Sequence, residues 1–152
     1  MLVAGLISDT HGLLRPEAKR ALAGVDVIIH AGDIGAPGLL EELATVAPVR
    51  AVRGNNDRGA WAHALPLTEA LELEGVSIYV LHDVKELDLD PAAAGFAVVV
   101  AGHSHRPAIE LRQGVLYLNP GSAGPRRFSL PVAVGFLEIA SGVARGRIQR
   151  IL

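Results

Sequence analysis

Five short apolar runs constrain the fold of this 152-residue chain more than any other feature. The runs are Leu2–Ser8, Val25–His30, Val49–Arg53, Val76–His82 and Phe96–Ala101, and polar residues or glycine follow each of them closely. Continuous apolar runs of this length are typical of strands that are covered on both faces. The chain therefore predicts a buried sheet whose strand ends carry polar side chains.

Two segments between the first three runs have helical character. They are Arg15–Gly24 and Ala36–Val46. Pro16 and Pro37 suit the first turn of a helix, and Gly24 suits its end. Strands that alternate with helices indicate βαβ units and a largely parallel sheet.

The second half of the chain favours antiparallel hairpins instead. Two-residue turns are predicted at Glu74-Gly75, Gln113-Gly114 and Ser141-Gly142, each between apolar runs. The whole pattern predicts one α/β domain over residues 1–152. In it, two sheets of mixed parallel and antiparallel strands pack together, with helices outside.

The composition excludes several classes of function. The formal net charge is −2, aromatic residues make up 4% of the chain, and cysteine is absent. These values predict no broad attraction to nucleic acid or to a membrane, no base-stacking platform, and no disulfide or thiolate metal site. The apolar N-terminal run meets Asp9 too early for a signal peptide or a membrane span. We expect a cytoplasmic protein.

The strand ends carry an unusual set of side chains, in the region where open α/β sheets bind ligands. The set is Asp9, His11, Asp33, Asn55, His82, His103 and His105. Each is a good oxygen or imidazole ligand for a divalent transition metal. Asp9 and Asp33 could each cap a helix instead, and His82 alone would more often be a core histidine. Independent causes do not easily explain potential ligands at five consecutive strand ends.

We divide this set into two predicted metal sites. One comprises Asp9, His11, Asp33 and His105, and the other comprises Asp33, Asn55, His82 and His103. Asp33 bridges them, since a carboxylate can hold one ion on each oxygen. Two ions roughly 3.5–4 Å apart suit in-line phosphoryl displacement by a bridging hydroxide.

The motifs around these residues resemble those of the calcineurin-like metallophosphoesterase superfamily. They read SDTHG (8–12), HAGDIG (30–35), RGNNDRG (53–59), VLHD (80–83) and AGHSHRP (101–107). The segment LNPGSAGPRR (118–127) is similar to one in the small bacterial and archaeal phosphodiesterase branch. The resemblance implies an αββα sandwich with the dimetal site at its top and the same ligands. It also implies metal-dependent phosphodiesterase activity on a small diester. Mn²⁺ suits the site best, and Ni²⁺, Fe and Zn²⁺ also suit it.

Asn56 departs from the family pattern. Many members have histidine there, which serves as the general acid, and the small branch often has cysteine. We place Asn56 with Asp33 and His105 as the catalytic positions, but a carboxamide cannot transfer a proton. We therefore expect the missing acid to slow the hydrolysis of activated aryl diesters less than that of alkyl monoesters. The alternative is a catalytically weak metal-binding scaffold, like the retromer subunit of this fold.

Seven further positions are interpreted less specifically. Asn119 and Ser122 could line the cleft, and Arg126 or Arg127 could contact a phosphate oxygen, or the segment could be a Pro-Gly turn with solvated arginines.

Asp83 stands where relatives commonly have glycine, and either orients a ligand or faces water. Asp57 is expected to brace its loop or an imidazole. His30 is expected to support a ligand from behind or to lie in the core, rather than to bind a metal itself. The apolar C-terminal hairpin edge could support a homo-oligomer.

Overall fold

Ten strands form two five-stranded sheets in the computed structural model, which describes residues 1–152. The strands are β1 (Leu2–Ile7), β2 (Val27–His30), β3 (Val49–Ala51), β4 (Thr68–Leu73), β5 (Val76–Leu81), β6 (Val98–Val100), β7 (Ala108–Arg112), β8 (Val115–Asn119), β9 (Ala133–Ala140) and β10 (Val143–Arg150). The helices are α1 (Pro16–Ala21), α2 (Pro37–Ala44) and α3 (Ala60–His63), and a 3₁₀ turn spans Val84–Glu86.

The first sheet has the strand order β10-β9-β1-β2-β3. Its β1, β2 and β3 are parallel and are connected through α1 and α2, which confirms the predicted βαβ units. Pro16 and Pro37 occupy the first helical turns, where their missing N–H groups cost nothing. Strands β9 and β10 extend this sheet in antiparallel pairing. The carboxyl ends of β1, β2 and β3 therefore lie at one edge.

The second sheet has the strand order β4-β5-β6-β8-β7. Strands β5, β6 and β8 run parallel, whereas β4 and β7 pair antiparallel at the two edges. Both sheets are thus mixed, as predicted. The ends of β5 and β6 carry His82 and the Gly102–His105 loop.

The main hydrophobic core lies between the sheets. Leu6 and Ile29 from the first sheet are fully or almost fully buried with Ile78 and Val98 from the second. A second core lies between the first sheet and the helices, where Leu43 of α2 is fully buried. The two-sheet sandwich is confirmed.

The outer face of the second sheet has no α-helix against it. The 3₁₀ turn and an extended segment cover this face, with Leu87, Leu89 and Phe96 packed around Tyr79. In this segment the leucines at 87 and 89 alternate with the exposed Asp88 and Asp90. Alternation with a period of two suits extended chain rather than a helix.

All three predicted hairpin turns are present. Their central residues have positive φ angles: Glu74 49°, Gly75 80°, Gln113 50°, Gly114 79°, Ser141 52° and Gly142 73°. Two consecutive left-handed residues define the type I′ turn, whose twist matches that of the flanking strands. The turns fix the registers Leu73↔Val76, Arg112↔Val115 and Ala140↔Val143.

The longest helix, α2, has eight residues, and no helix is long and apolar enough to cross a membrane. The C-terminal hairpin places β10 at an edge of the first sheet, where the side chain of Val143 is exposed. A homo-oligomer built on this edge stays a prediction.

Replacing Gln113 by asparagine is expected to stabilise the protein by about 0.5 kcal/mol, because asparagine tolerates left-handed backbone better than glutamine does. The Gln113 side chain is exposed, so the change removes no packing. Urea denaturation measures the effect. Gln113→Val is the matched control and should destabilise, since a branched β-carbon opposes a positive φ. A stabilising Gln113→Val would contradict the turn assignment.

Candidate metal centre

Left-handed backbone is concentrated at the strand ends that carry the predicted ligands. Five of the seven have positive φ angles: Asp9 55°, His11 47°, Asp33 56°, His103 71° and His105 62°. Each such residue costs about 1–2 kcal/mol relative to ordinary backbone. Conformations of this kind persist where the surrounding fold fixes them, and they cluster at functional sites.

Two glycines let the loops of the site approach one another. A Cβ atom at Gly54 would clash with the backbone and carboxylate of Asp33. A Cβ atom at Gly102 would clash with the Ser8 hydroxyl and would also approach Asp9. The glycines of the RGNND and AGHSH motifs therefore bring loops from both sheets against the two carboxylates.

Asp9 is fully buried and presents one free oxygen. Its Oδ2 accepts hydrogen bonds from Ser8 Oγ at 2.7 Å and from the His103 backbone N–H at 3.0 Å. Its Oδ1 has no hydrogen-bond partner. That atom lies 3.4 Å from His105 Nε2, 3.9 Å from His11 Nε2 and 3.8 Å from His82 Nε2.

Asp33 lies between His11 and His82. Its Oδ2 is 3.2 Å from His82 Nε2 and 3.8 Å from His11 Nε2. Its Oδ1 accepts a hydrogen bond from the Asn56 backbone N–H at 2.9 Å, and its Oδ2 accepts one from Asn56 Nδ2 at 3.0 Å. This carboxylate therefore contacts a residue from each predicted metal site.

Both carboxylates are held in the ionised form. Burial by itself would raise the pKa of Asp9, but the contact with His105 and the hydrogen bond from Ser8 outweigh burial and lower it. Burial would likewise raise the pKa of Asp33, but the contact with His82 and the Asn56 hydrogen bonds lower it well below its ordinary value. Two buried anions side by side create a strong demand for positive charge.

His82 partly meets this demand. Burial would lower the pKa of His82, but the contact with Asp33 outweighs burial and raises it to about 8. Its Nδ1–H donates to the Ala31 carbonyl at 2.7 Å, which aims Nε2 at the carboxylates. A backbone contact of this kind fixes the tautomer that a ligating histidine needs.

The residues fit a divalent metal by their donor types and by their unpaired atoms. Two groups have ligand atoms within 4.8 Å of one another: Asp9 with His11 and His105, and Asp9 with Asp33 and His82. Asp9 Oδ1 and His11 Nε2 are buried without hydrogen-bond partners. Carboxylate oxygen and imidazole nitrogen together suit Mn²⁺, Fe, Ni²⁺ or Zn²⁺.

The two remaining predicted ligands lie beside the second group. His103 Nδ1 is 3.3 Å from His82 Nε2, and the rings meet edge to face with centroids 5.1 Å apart. Asn55 is exposed and lines the same cavity as His82 and His103. Asp9 belongs to both groups, whereas Asp33 belongs only to the second. The division into two metal sites, with Asp33 as the bridge, stays a prediction.

Two residues near the ligands have structural roles. Asp57 accepts backbone N–H bonds from Ile34, Gly35 and Gly54 at 2.9–3.2 Å, so it braces two loops, as one of its two interpretations expected. His30 is fully buried; its Nδ1 accepts the Gly32 N–H and its Nε2–H donates to Thr10 Oγ1, each at 3.0 Å. Burial lowers the pKa of His30 to about 4, so it is neutral at pH 7.

Two of the predicted substrate contacts, Asn119 and Ser122, form hydrogen bonds with loops of the site. Asn119 Nδ2 donates to the Gly102 carbonyl and to Ser104 Oγ, and its Oδ1 accepts the Gly121 N–H, so it holds the loop of His103 and His105. Ser122 is buried and donates to the Asp9 carbonyl at 3.0 Å.

Arg126 is exposed, and its Nε lies 3.5 Å from the Leu130 carbonyl. None of these three residues lines the cavity beside His82. Their contact with substrate stays a prediction, although the first two already use their polar atoms to hold backbone.

The cavity beside His82 and His103 has a volume of about 620 Å³. Besides these histidines and Asn55, its lining includes Arg53, Thr68, Asp83, Glu86 and Asp88. Of these, only Asp83 stands out from the sequence pattern. The clustering of acids in DVKELDLD directly after His82 is the signal that could have indicated the others. Ser8 was missed too, although it precedes Asp9 in the motif.

A mixed two-sheet sandwich with buried carboxylates and converging imidazoles at its strand ends is the arrangement of a candidate metal site in the metallophosphoesterase fold. The sequence agrees, because the family model for the calcineurin-like phosphoesterase superfamily domain matches residues 1–142. The chain belongs to this superfamily.

Relatives and a solved structure extend this assignment. A probable metallophosphoesterase from Methanothermobacter thermautotrophicus is 35% identical over 142 residues, covering 86% of this chain and 82% of the relative. A phosphodiesterase from Methanocaldococcus jannaschii is 26% identical, covering 88% and 91%. The structure of Vps29 from Chaetomium thermophilum superposes with a TM-score of 0.80 at 17% identity, covering 99% and 97%. The last similarity shows the fold alone.

Stability is expected to fall on acidification through His30. Its folded pKa of about 4 lies below the ordinary 6.5, so between these values the unfolded chain binds one more proton than the folded chain. The contribution is complete above pH 6.5 and falls by about 3 kcal/mol as the pH drops to about 4. Urea denaturation across this window should show a shallower loss for His30→Gln. The exposed His63 supplies the control His63→Gln, and parallel slopes for both variants would contradict the assignment.

Proposed function

We propose that the protein is a metal-dependent phosphodiesterase that binds two divalent cations, with Mn²⁺ preferred. The observation that carries this proposal is the unpaired, fully buried Oδ1 of Asp9, which lies within 3.9 Å of three imidazole Nε2 atoms. An unpaired buried carboxylate oxygen is costly unless a cation satisfies it. The family assignment supports a divalent metal as that cation.

The proposed first site comprises Asp9, His11, Asp33 and His105, and the second comprises Asp33, Asn55, His82 and His103. Divalent cations bound there would supply an activated water and would neutralise the charge of the diester. The chain's own part is to hold the ligands. Ser8 keeps Asp9 Oδ2 occupied so that Oδ1 stays free, and the Ala31 carbonyl turns His82 so that its Nε2 faces inward.

Asn56 affects the proposed reaction because its side chain has no proton to transfer. Its amide donates to Asp33, so it fixes this carboxylate, but it offers no proton to a departing alcohol. General acid catalysis typically contributes about 10²–10⁴ in rate. The enzyme is therefore best suited to diesters whose leaving group departs as a stable anion.

The cavity beside the second site is large enough for a small phosphodiester. Its volume of about 620 Å³ falls in the ordinary range of small-molecule sites. Arg53 and Thr68 on its wall can contact phosphate or hydroxyl oxygens. A small molecule is proposed as the substrate, because the chain carries no strong positive charge to attract nucleic acid.

Hydrolysis of bis(p-nitrophenyl) phosphate is expected when Mn²⁺ is supplied, as measured by release of p-nitrophenol. Asp33→Asn and His105→Ala should each lower kcat/KM by more than about 100-fold, since residues that merely orient metal ligands are typically worth 10–100-fold. His63→Ala is the matched control, because His63 is exposed and lies outside the site. Absence of turnover with every divalent metal tried would contradict the proposal.

The role of Asn56 is tested with aryl diesters whose leaving phenols span a range of pKa values. The wild-type rate should fall steeply as the leaving group becomes more basic, because nothing protonates it. Asn56→His should flatten this dependence and raise activity on poor leaving groups. Asn56→Ala should retain the steep dependence. A shallow dependence in the wild type would show that another group supplies the proton.

A second candidate function is a metal-binding interaction protein with little catalytic activity. The fold similarity to Vps29 and the missing acid at position 56 favour it. This candidate requires capture of a protein partner that survives Asp33→Asn and His105→Ala. Both candidates require the unpaired atoms of the metal centre, so hydrolysis of bis(p-nitrophenyl) phosphate is the observation that separates them.

A further inference from the structure

The carboxylate of Asp83 faces the outer nitrogen of His103. Its Oδ2 lies 3.6 Å from His103 Nε2, which is an ion-pair distance about 0.4 Å beyond the longest ordinary N–H···O hydrogen bond. Its Oδ1 accepts the Lys85 backbone N–H at 3.1 Å and so caps the 3₁₀ turn. One oxygen thus anchors the carboxylate to the backbone, and the other faces the imidazole.

His103 needs such a partner more than the other histidines do. Its side chain is 43% exposed, whereas the side chains of His82 and His105 are 6% and 4% exposed. Packing therefore does little to fix its ring. The two contacts that the ring makes at its nitrogens are Nδ1 against His82 Nε2 and Nε2 against Asp83. The carboxylate draws Nε2 outward, and this turns Nδ1 toward the proposed second metal site.

We propose that Asp83 is a positioning residue that presents His103 Nδ1 to the second metal ion and thereby raises the affinity of that site. This inference rests on the proposed two-metal site. Nothing in the family motifs supplies Asp83, because relatives commonly have glycine after the corresponding histidine. The geometry matches the general pattern in which a carboxylate orients a ligating histidine.

The alternative explanation is that Asp83 acts only through its negative charge. Glu86 and Asp88 line the same cavity and carry the same charge, yet neither forms an ion pair with His103. These two residues therefore provide matched controls. Asp83→Asn, Glu86→Gln and Asp88→Asn each remove one negative charge with little change in shape, and asparagine can still cap the 3₁₀ turn.

The test measures stepwise Mn²⁺ binding by equilibrium dialysis at one pH, with the spin-coupled EPR signal of a Mn²⁺ pair as a second readout. In Asp83→Asn, the second dissociation constant should rise by about tenfold and the paired signal should appear at correspondingly higher free Mn²⁺. The first constant should not change, because Asp9, His11 and His105 do not contact Asp83. Glu86→Gln and Asp88→Asn should change the second constant by less than about twofold.

Each of the other possible outcomes overturns a stated part of the proposal. An unchanged second constant in Asp83→Asn overturns the inference and leaves the proposed function intact. Equal losses in all three variants also overturn it, because they show that charge alone acts. A wild-type protein that binds one Mn²⁺ per chain at saturation overturns the two-metal site itself, and this inference with it.

Discussion

The centre of this structure is the pair of buried carboxylates, Asp9 and Asp33. Two anions in one apolar interior are unfavourable unless positive charge and hydrogen bonds hold them. The neighbouring groups meet this requirement: Ser8 and the His103 amide occupy one oxygen of Asp9, Asn56 donates to Asp33, and His82 contributes a proton. The left-handed backbone of the predicted ligands and the close approach of Gly54 and Gly102 allow these groups to meet.

Much of the fold could be predicted from local sequence. The βαβ half follows from apolar runs separated by proline-initiated helices, and the hairpins follow from X-Gly pairs at Glu74, Gln113 and Ser141. The segment that packs on the outer face of the second sheet could not be predicted in the same way. Residues 87–90 follow the 3₁₀ turn outside any helix or strand, and their leucines alternate with aspartates, but a local pattern of this kind does not show which face it covers.

The site was predictable to a similar extent. The motifs identify residues whose ligand atoms do converge, because the ends of parallel strands meet at one edge. The loop of Asn119 and Ser122 was harder to interpret, since a polar side chain near a site can serve substrate or backbone equally well. Here both residues bind backbone. Such pairing depends on contacts between residues 15 or more positions apart, which a single sequence does not reveal.

The clamp formed by Asp57 has an evolutionary consequence. The carboxylate of Asp57 joins three N–H groups from two loops, so it holds the Asp33 loop against the Asn55 loop in addition to the hydrogen bond from the Asn56 side chain. A change of residue at position 56 would remove one hydrogen bond to Asp33, while the Asp57 clamp would still hold the two loops together. A lineage could exchange an acid for an amide there while keeping the same carboxylates and imidazoles at the strand ends.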